Sequence, residues 1–555
     1  MLTPSVMIET KKNHYSHFFR TVEDRYLRWA ELLVIVIFCS IPLFVKFPFR
    51  INLFLAWEGA YRLSEGQVPF RDFGLPLGFG FWIIPALFFK LLGAQMITLV
   101  KAQVFVNVIT MLAFRSILKT LGTPAAARLI ALLVLALSYV LVNFWPWYNN
   151  MVFVYELLAI QTLLLGCYRY HGLKAHVLVA LSALFVVLSV FTKQDGGGLA
   201  LLVVTALLAL YLLRHRRWSF LATYAASGIL GGLLFVLPFL PYGIDYWFNY
   251  GQEPHYSRIN AYDFLQDIFG RSFEIKAYLA AITLVLIYRY RTGRQFWDDE
   301  RTVMFALLTV AILGQALLIQ VTSYIPHNVN VYFHGFAIAF LLYAAAHAVQ
   351  WQKLSLLLLS VGLVFFCFSG DYWVYANRVF RKFLPAPRTE GVISKNSWSS
   401  GEDSLASVSR ANWVESDYWV FEDVYLPEKT IAGIKNIEAL PVVKEKGREL
   451  RVLNMTELTP LVQILDYQLE TGTDYPLWFH HGVSMFDREV AMFCRAIENQ
   501  AYDLVLFETI PNLNNFYPEQ VRDCIRQHYR QTDRFLAPRV KHNAHVEVYV
   551  RSSSE

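Results

Sequence analysis

Residues Phe49 to Gly93 read FRINLFLAWEGAYRLSEGQVPFRDFGLPLGFGFWIIPALFFKLLG. This stretch decides how the rest of the chain is read. It follows a long apolar run directly and packs in Arg50, Glu58, Arg62, Glu65, Arg71 and Asp72. The rest of the first two-thirds keeps its charge in short loops. Polar groups held against a bilayer are costly, so such a dense patch points to a working surface.

Composition says that a bilayer is there. Hydrophobic residues make up 56% of the chain and charged residues 17%, and mean hydropathy is +0.38. Soluble proteins carry about 25% charged residues. The net charge of +6 does not point to nucleic acid, because the basic residues lie in short loops between apolar runs.

A spanning helix needs roughly 20 mostly apolar residues. Runs at 29–47, 97–115, 126–144, 151–168, 176–192, 197–213, 219–240, 274–289, 303–322, 330–349 and 353–370 qualify, which makes about eleven spans. The aromatic run 79–93 is expected to lie along the membrane rather than cross it. The basic clusters Arg115/Lys119/Arg128, Arg169/His171/Lys174, Arg214–Arg217 and Arg289/Arg291/Arg294/Arg301 then all fall on one side. That side is the cytoplasmic one by the positive-inside rule. The N-terminus is expected inside, and the opening loop and the C-terminus outside. No cleavable leader is apparent before the first span.

Beyond Gly370 the composition turns mixed and polar. Segments 452–454, 503–507 and 546–550 read as strands, and 432–440, 488–499 and 518–528 as helices. The expected fold is a polytopic α-helical membrane domain followed by a small exported α/β domain. Its parts are a cytoplasmic segment 1–28, a membrane domain 29–372 with first outer loop 48–96, a linker 373–412 and an α/β domain 413–555. Cys39, Cys167 and Cys367 fall in apolar runs and read as packing residues. Cys494 and Cys524 read as two buried thiols, with a disulfide as the alternative if that domain is exported.

The expected outer face collects the chemistry. The first loop brings Glu58, Arg62, Arg71 and Asp72. Later come Trp147, Asn149 and Asn150, then Lys193, Gln194 and Asp195, then a loop at 241–273, then His327. A carboxylate here could take a proton from an attacking hydroxyl. Lysine or arginine could hold phosphate oxygens and stabilise a leaving charge. The plainer readings are a local ion pair for Arg71–Asp72, the polar face of an interfacial helix for Glu58, a snorkelling side chain for Lys193 and an aromatic belt for 145–150. Gly196–Gly198 is not a nucleotide phosphate loop, since no Gly-Lys-Ser/Thr follows. No spacing defines a metal ligand set, so no cofactor is assigned and a divalent cation is left open.

Gly66-Gln67-Val68-Pro69-Phe70-Arg71-Asp72-Phe73, then Pro76-Leu77-Gly78 and the aromatic helix up to Gly93, resembles membrane glycosyltransferases of the GT-C superfamily. The nearer likeness is to the bacterial branch related to protein mannosyltransferases and the lipid A aminoarabinose transferase. Thr192-Lys193-Gln194-Asp195 is similar to that branch's T-K-Q-(N/D/E) motif at the outer end of a later span. The resemblance covers about residues 25–370. It implies an inverting enzyme in a bacterial inner membrane that moves a sugar from a polyprenyl-phosphate donor to a hydroxyl of a glycolipid, polysaccharide or protein. It implies donor-phosphate binding by Arg62, Arg71, Lys193 and Gln194. Sugar or acceptor contacts would come from Trp147, Asn149, Asn150, Asp195 and His327. Relatives carry an Asp soon after the first span, where this chain reads Arg50-Ile51-Asn52-Leu53. The base role therefore moves to Glu58 or Asp72. A flippase for a lipid-linked sugar, or a noncatalytic glycolipid-binding relative, are the alternatives.

Overall fold

The computed structural model describes residues 21–49, 54–141, 143–243, 247, 261–291, 298–323, 332–380, 383, 413–477, 479, 485–510, 517–539 and 544–551. His327, the 50–53 tetrapeptide and residues 244–246 and 248–260 of the 241–273 loop lie outside them.

Each of the eleven expected spans coincides with a helix. Seven are long and apolar enough to cross a membrane: Asp24–Phe44, Met96–Thr120, Tyr148–Tyr168, Gly172–Val190, Gln194–His215, Trp218–Tyr242 and Glu300–Ile319. Ala125–Val140, Phe333–Ala345 and Leu354–Cys367 are apolar but shorter. Phe273–Arg291 is a 19-residue helix with a lower apolar content. The spans present Leu, Ile and Phe side chains such as Leu202, Ile229 and Phe366 outward, as a chain solvated by lipid should. The chain is a multi-pass helical membrane protein.

Glu31 of the first span ties the bundle together at the end expected to be cytoplasmic. Its two carboxylate oxygens accept from Arg115 Nε at 2.6 Å and Arg128 Nε at 2.7 Å. Glu31 is fully buried, and two guanidinium groups satisfy the charge that burial would otherwise leave exposed to low dielectric.

The aromatic run forms a short 3-10 turn, Gly80–Trp82, and a helix, Ile83–Leu92. Like Ala125–Val140, Phe333–Ala345 and Leu354–Cys367, the segment Gly80–Leu92 is an apolar helix shorter than the seven long ones. Pro85, Ala86 and Phe89 are buried against the protein while Ile83, Leu87, Leu91 and Leu92 are exposed. One apolar face packs inward and the other is exposed.

The C-terminal region is α/β. Strands β4 (Val452–Met455), β5 (Leu504–Thr509), β6 (Tyr529–Leu536) and β7 (His545–Arg551) form one sheet in the order β4-β5-β7-β6. β4 and β5 run parallel and the others antiparallel. Helices Glu428–Ala439, Phe486–Glu498 and Glu519–His528 stand where the sequence placed them. Apolar residues recur along their inner faces, as in Ile431, Ile434 and Ile437. Helix Ser369–Phe380 runs into the stretch expected as a linker.

The reading of Cys494 and Cys524 as separate thiols is corrected. They are joined by a disulfide, because the two helices that carry them pack side by side and bring the Cα atoms to 5.6 Å. Cys39 and Cys167 are buried and free, and Cys367 is free and exposed.

A second small sheet stitches the two regions together. β1 (Phe47–Pro48), at the end of the first span, pairs parallel with β3 (Val424–Pro427), and β3 pairs antiparallel with β2 (Trp413–Glu415). Lys46 adds an ion pair with Glu415 at 2.7 Å. The first loop therefore leaves the membrane already attached to the C-terminal region.

Candidate functional site

The loop opens with a π-helical turn, Phe54–Glu58, that continues as the α-helix Gly59–Ser64. Glu58 and Arg62 are four residues apart, on one face of that helix. Arg62 is fully buried. Its Nε donates to Glu58 Oε1 at 2.8 Å, and Nη2 approaches the same oxygen at 2.8 Å. Nη1 donates to Gln67 Oε1 at 2.8 Å and to the backbone carbonyl of Glu470 at 2.9 Å. The rings of Phe73 and Tyr475 flank the guanidinium at 5.4 and 5.1 Å.

Glu58 borders a narrow cavity of ≈ 40 Å³ between the loop and the C-terminal region. Asn454, Thr459, Tyr475 and Tyr517 line its other side. Burial pushes the Glu58 carboxyl above the usual carboxylate range, and the Arg62 charge and hydrogen bond hold it back only in part. A carboxylate with a raised pKa and a cation fixing one oxygen has the properties of a general base.

Asp72 is placed differently. Arg71 grips it twice, Nε to Oδ1 at 2.9 Å and Nη2 to Oδ2 at 2.7 Å. Oδ2 also accepts the Val68 amide at 2.7 Å. Those bonds close a tight turn that holds Phe70 at a φ of 65°, a left-handed conformation unusual for a bulky residue. The Phe70 ring packs edge-on against Phe239 at 5.6 Å. The Arg71 bond lowers the Asp72 carboxyl below its ordinary range. The turn is clamped from the C-terminal side: Gly472 N–H donates to the Asp72 carbonyl at 2.8 Å, and Gly74 exchanges bonds with Tyr475 and Leu477 at 2.6 and 2.9 Å.

The following Pro76-Leu77-Gly78-Phe79-Gly80 segment docks on the C-terminal end of the Gly172–Val190 span. Gly80 N–H donates to the Phe191 carbonyl at 2.9 Å, and Tyr155 Oη donates to the Gly80 carbonyl at 2.9 Å. A Cβ on Gly78 would lie 1.7 Å from the Phe191 carbonyl oxygen, so only glycine fits this approach. This contact joins the two motifs, 66–78 and 192–195, that lie far apart in sequence.

Lys193 is buried, with Nζ 3.3 Å from Asp195 Oδ2 and 5.6 Å from the Tyr148 ring centre. Burial lowers its pKa against the pull of Asp195. Gln194 Nε2 donates to the Trp247 carbonyl at 2.5 Å. Asp195 Oδ1 accepts the Gly196 amide at 2.7 Å at the start of the next span. Trp147 precedes helix Tyr148–Tyr168 and packs on Tyr148, their ring centres 4.6 Å apart. Asn149 and Asn150 open that helix, and Asn150 Nδ2 is hydrogen-bonded to Asn143 Oδ1. Asn149 is buried with Oδ1 unpartnered.

Glu58 and Arg62 meet under the C-terminal region. Arg71 and Asp72 close the next turn, where the Arg62 charge also acts on Asp72. Lys193, Gln194 and Asp195 follow Phe191, where the Gly78–Gly80 segment docks. A train of rings connects them: Trp82 lies against Gly59, Phe81 lies 4.7 Å from Trp82, and Tyr148 lies 5.9 Å from Phe81. The sequence reading missed Gln67, the Glu470 carbonyl and Tyr475. No spacing could have found the last two, because they come from the other end of the chain. Among the described residues, no group of three or more His, Cys, Asp or Glu gathers as a metal site.

No family model matches the chain, and no curated protein matches its sequence. Among solved structures the chain is similar to ArnT from Cupriavidus metallidurans in the apo state, with a TM-score of 0.48 and 12% identity over 94% of this chain and 97% of that one. It is similar to the same protein bound to undecaprenyl phosphate, at 0.49 and 10% over 94% and 98%. It is also similar to the arabinofuranosyltransferase AftD from Mycobacteria, at 0.49 and 14%, covering 96% of this chain and 40% of that one.

Proposed function

We propose that this chain is a membrane glycosyltransferase that moves a sugar from a polyprenyl-phosphate donor to an acceptor hydroxyl at the outer face of a bacterial inner membrane. The observation that carries the reading is the Glu58–Arg62 pair: a buried carboxylate, held at one oxygen, beside a cavity between the first loop and the C-terminal region. Glu58 takes the acceptor hydroxyl proton. The acceptor oxygen forms a bond to the sugar's anomeric carbon, on the face opposite the lipid phosphate. The bond from that carbon to the phosphate oxygen breaks, and the polyprenyl phosphate leaves with the electron pair. Arg71 and Lys193 receive its negative charge, and Gln194 fixes the Lys193 turn through Trp247. Arg62 acts on Glu58 as a positioning residue, and Asp72 closes the turn that aims Arg71.

The basic loops support a cytoplasmic N-terminus. The Cys494–Cys524 bridge supports a C-terminal region in an oxidising compartment. The test is turnover of a radiolabelled polyprenyl-phosphate sugar by the purified protein. Glu58→Gln is expected to lower kcat at least about 100-fold. Lys193→Ala is expected to raise the donor KM. Full activity in both variants would overturn the assignment.

A further inference from the structure

The C-terminal region carries a second cavity, larger than the one beside Glu58. It has a volume of ≈ 440 Å³ and is lined by residues 448–452, 468–471 and Tyr502. Sites for small molecules usually measure about 300–1,000 Å³. Its walls are the chain entering β4, the segment 468–471 and the turn before β5. Arg448, Glu449, Arg451 and Thr471 are exposed at its rim.

The deeper part is built from Glu470 and the buried Tyr502. Tyr502 Oη donates to Glu470 Oε1 at 3.1 Å. Glu470 Oε2 is buried without a partner. A buried carboxylate oxygen with no hydrogen bond is unfavourable, and a donor brought by a ligand would satisfy it. The walls are fixed by other bonds. The Tyr529 hydroxyl accepts the Tyr502 N–H at 3.1 Å and donates to the Tyr502 carbonyl at 2.9 Å. Arg451 N–H donates to Asp503 Oδ2 at 3.0 Å, and the Arg451 carbonyl accepts the Asp503 N–H at 2.8 Å.

The charges of the lining select the ligand. Arg448 and Arg451 balance Glu449 and Glu470, and Arg448 is also paired with Asp466 at 3.1 Å. An anion would meet the two glutamates, and a cation the two arginines. A hydroxyl escapes both penalties, because it donates to a carboxylate and accepts from a guanidinium. A ring that carries several hydroxyls therefore fits a lining where donors and acceptors stand side by side.

We propose that this cavity binds an uncharged saccharide unit, with Glu470 accepting from one sugar hydroxyl and Arg451 donating to another. The site rests on its own lining and does not require the transferase reading. It shares one residue with the Glu58–Arg62 pair, since the Glu470 carbonyl is also the acceptor for Arg62.

The test uses the full chain in lipid nanodiscs at constant ionic strength. The probes are the neutral trisaccharides maltotriose and mannotriose, the anionic trigalacturonate and the cationic trimer of glucosamine. Heat of binding and Tm are read together. The expected result is saturable binding of at least one neutral probe, about one per chain, with a rise in Tm. Both charged probes should bind at least about tenfold more weakly. Arg451→Ala changes an exposed side chain and should weaken the neutral probe at least about tenfold while Tm without sugar stays near wild type. Glu470→Gln should weaken it too. No binding of either neutral probe up to its solubility limit would overturn the proposal. Unchanged binding in both variants would overturn the site, and tighter binding of a charged probe would overturn the choice of an uncharged ligand.

Discussion

Arg62 Nη1 donates to the backbone carbonyl of Glu470 at 2.9 Å, across 408 residues of sequence. The same guanidinium holds Glu58 through Nε at 2.8 Å. The C-terminal region therefore reaches the candidate base through one side chain.

This link makes a pH prediction. Burial raises the Glu58 pKa above its ordinary value and Arg62 opposes that rise. The active form is the carboxylate, so kcat/KM should climb with pH through a midpoint above 4.5. Replacing Arg62 by Leu removes the opposing charge and should move that midpoint to still higher pH, while Arg62→Lys should keep it nearer the wild type. A pH–rate series on the three proteins checks this. An unmoved acidic limb in Arg62→Leu would remove Glu58 from the mechanism.

Asp72 separates structure from chemistry. Asp72→Asn keeps a carbonyl oxygen for the Val68 amide and loses the charge that holds Arg71. Asp72→Ala loses both. We expect a rise in donor KM for Asp72→Asn with kcat within about tenfold of wild type. Asp72→Ala should add a fall in Tm equivalent to about 1–2 kcal/mol. A loss in kcat for Asp72→Asn as deep as that of Glu58→Gln would make Asp72 the base instead.

Gly78→Ala is expected to undock the loop from the Phe191 end. The added methyl meets a backbone carbonyl, which cannot rotate away as a side chain could. The cost should be about 1–3 kcal/mol, read as a lower Tm together with weaker donor binding. Wild-type Tm and donor affinity in this variant would show that the approach relaxes freely.

Glu489 predicts how the C-terminal region responds to alkali. It is buried with both carboxylate oxygens unpartnered, and burial pushes its pKa from 4.5 up to about 8. A raised folded-state pKa favours the protonated form. The contribution to stability is therefore full below about 4.5 and falls as pH rises toward about 8. Glu489→Gln should flatten that decline, so its Tm should exceed wild type at pH 9 and match it at pH 5. Parallel Tm curves for the two proteins across this range would contradict it.

The Cys494–Cys524 bridge closes a stretch with a sequence separation of 30. Replacing both by Ser should cost about 2–4 kcal/mol of stability, measured by denaturant unfolding. Reductant should lower the Tm of wild type and leave the double variant unchanged.

The sequence by itself determined the membrane helices, because lipid demands long apolar runs whatever the tertiary arrangement. It also determined the strands and helices of the C-terminal region, whose alternation and helical spacing are local properties. It marked the first loop as the polar surface, and it marked Gly78 and the Thr192–Asp195 motif as points of interest. The tertiary structure decided the pairings. Whether Glu58 or Asp72 stands beside a cavity depends on Arg62, Arg71 and the backbone at 470–477. Nothing in the local sequence around 58 or 72 encodes that third partner. The disulfide was decided in the same way, since two cysteines pair only when their helices pack side by side. The Glu156–Gln315 pair was hidden for the same reason: each is one polar residue in an apolar helix, and only packing brings them together. The charged loop that opened the reading is thus held at Arg62, Asp72 and Gly74 by backbone from the far end of the chain.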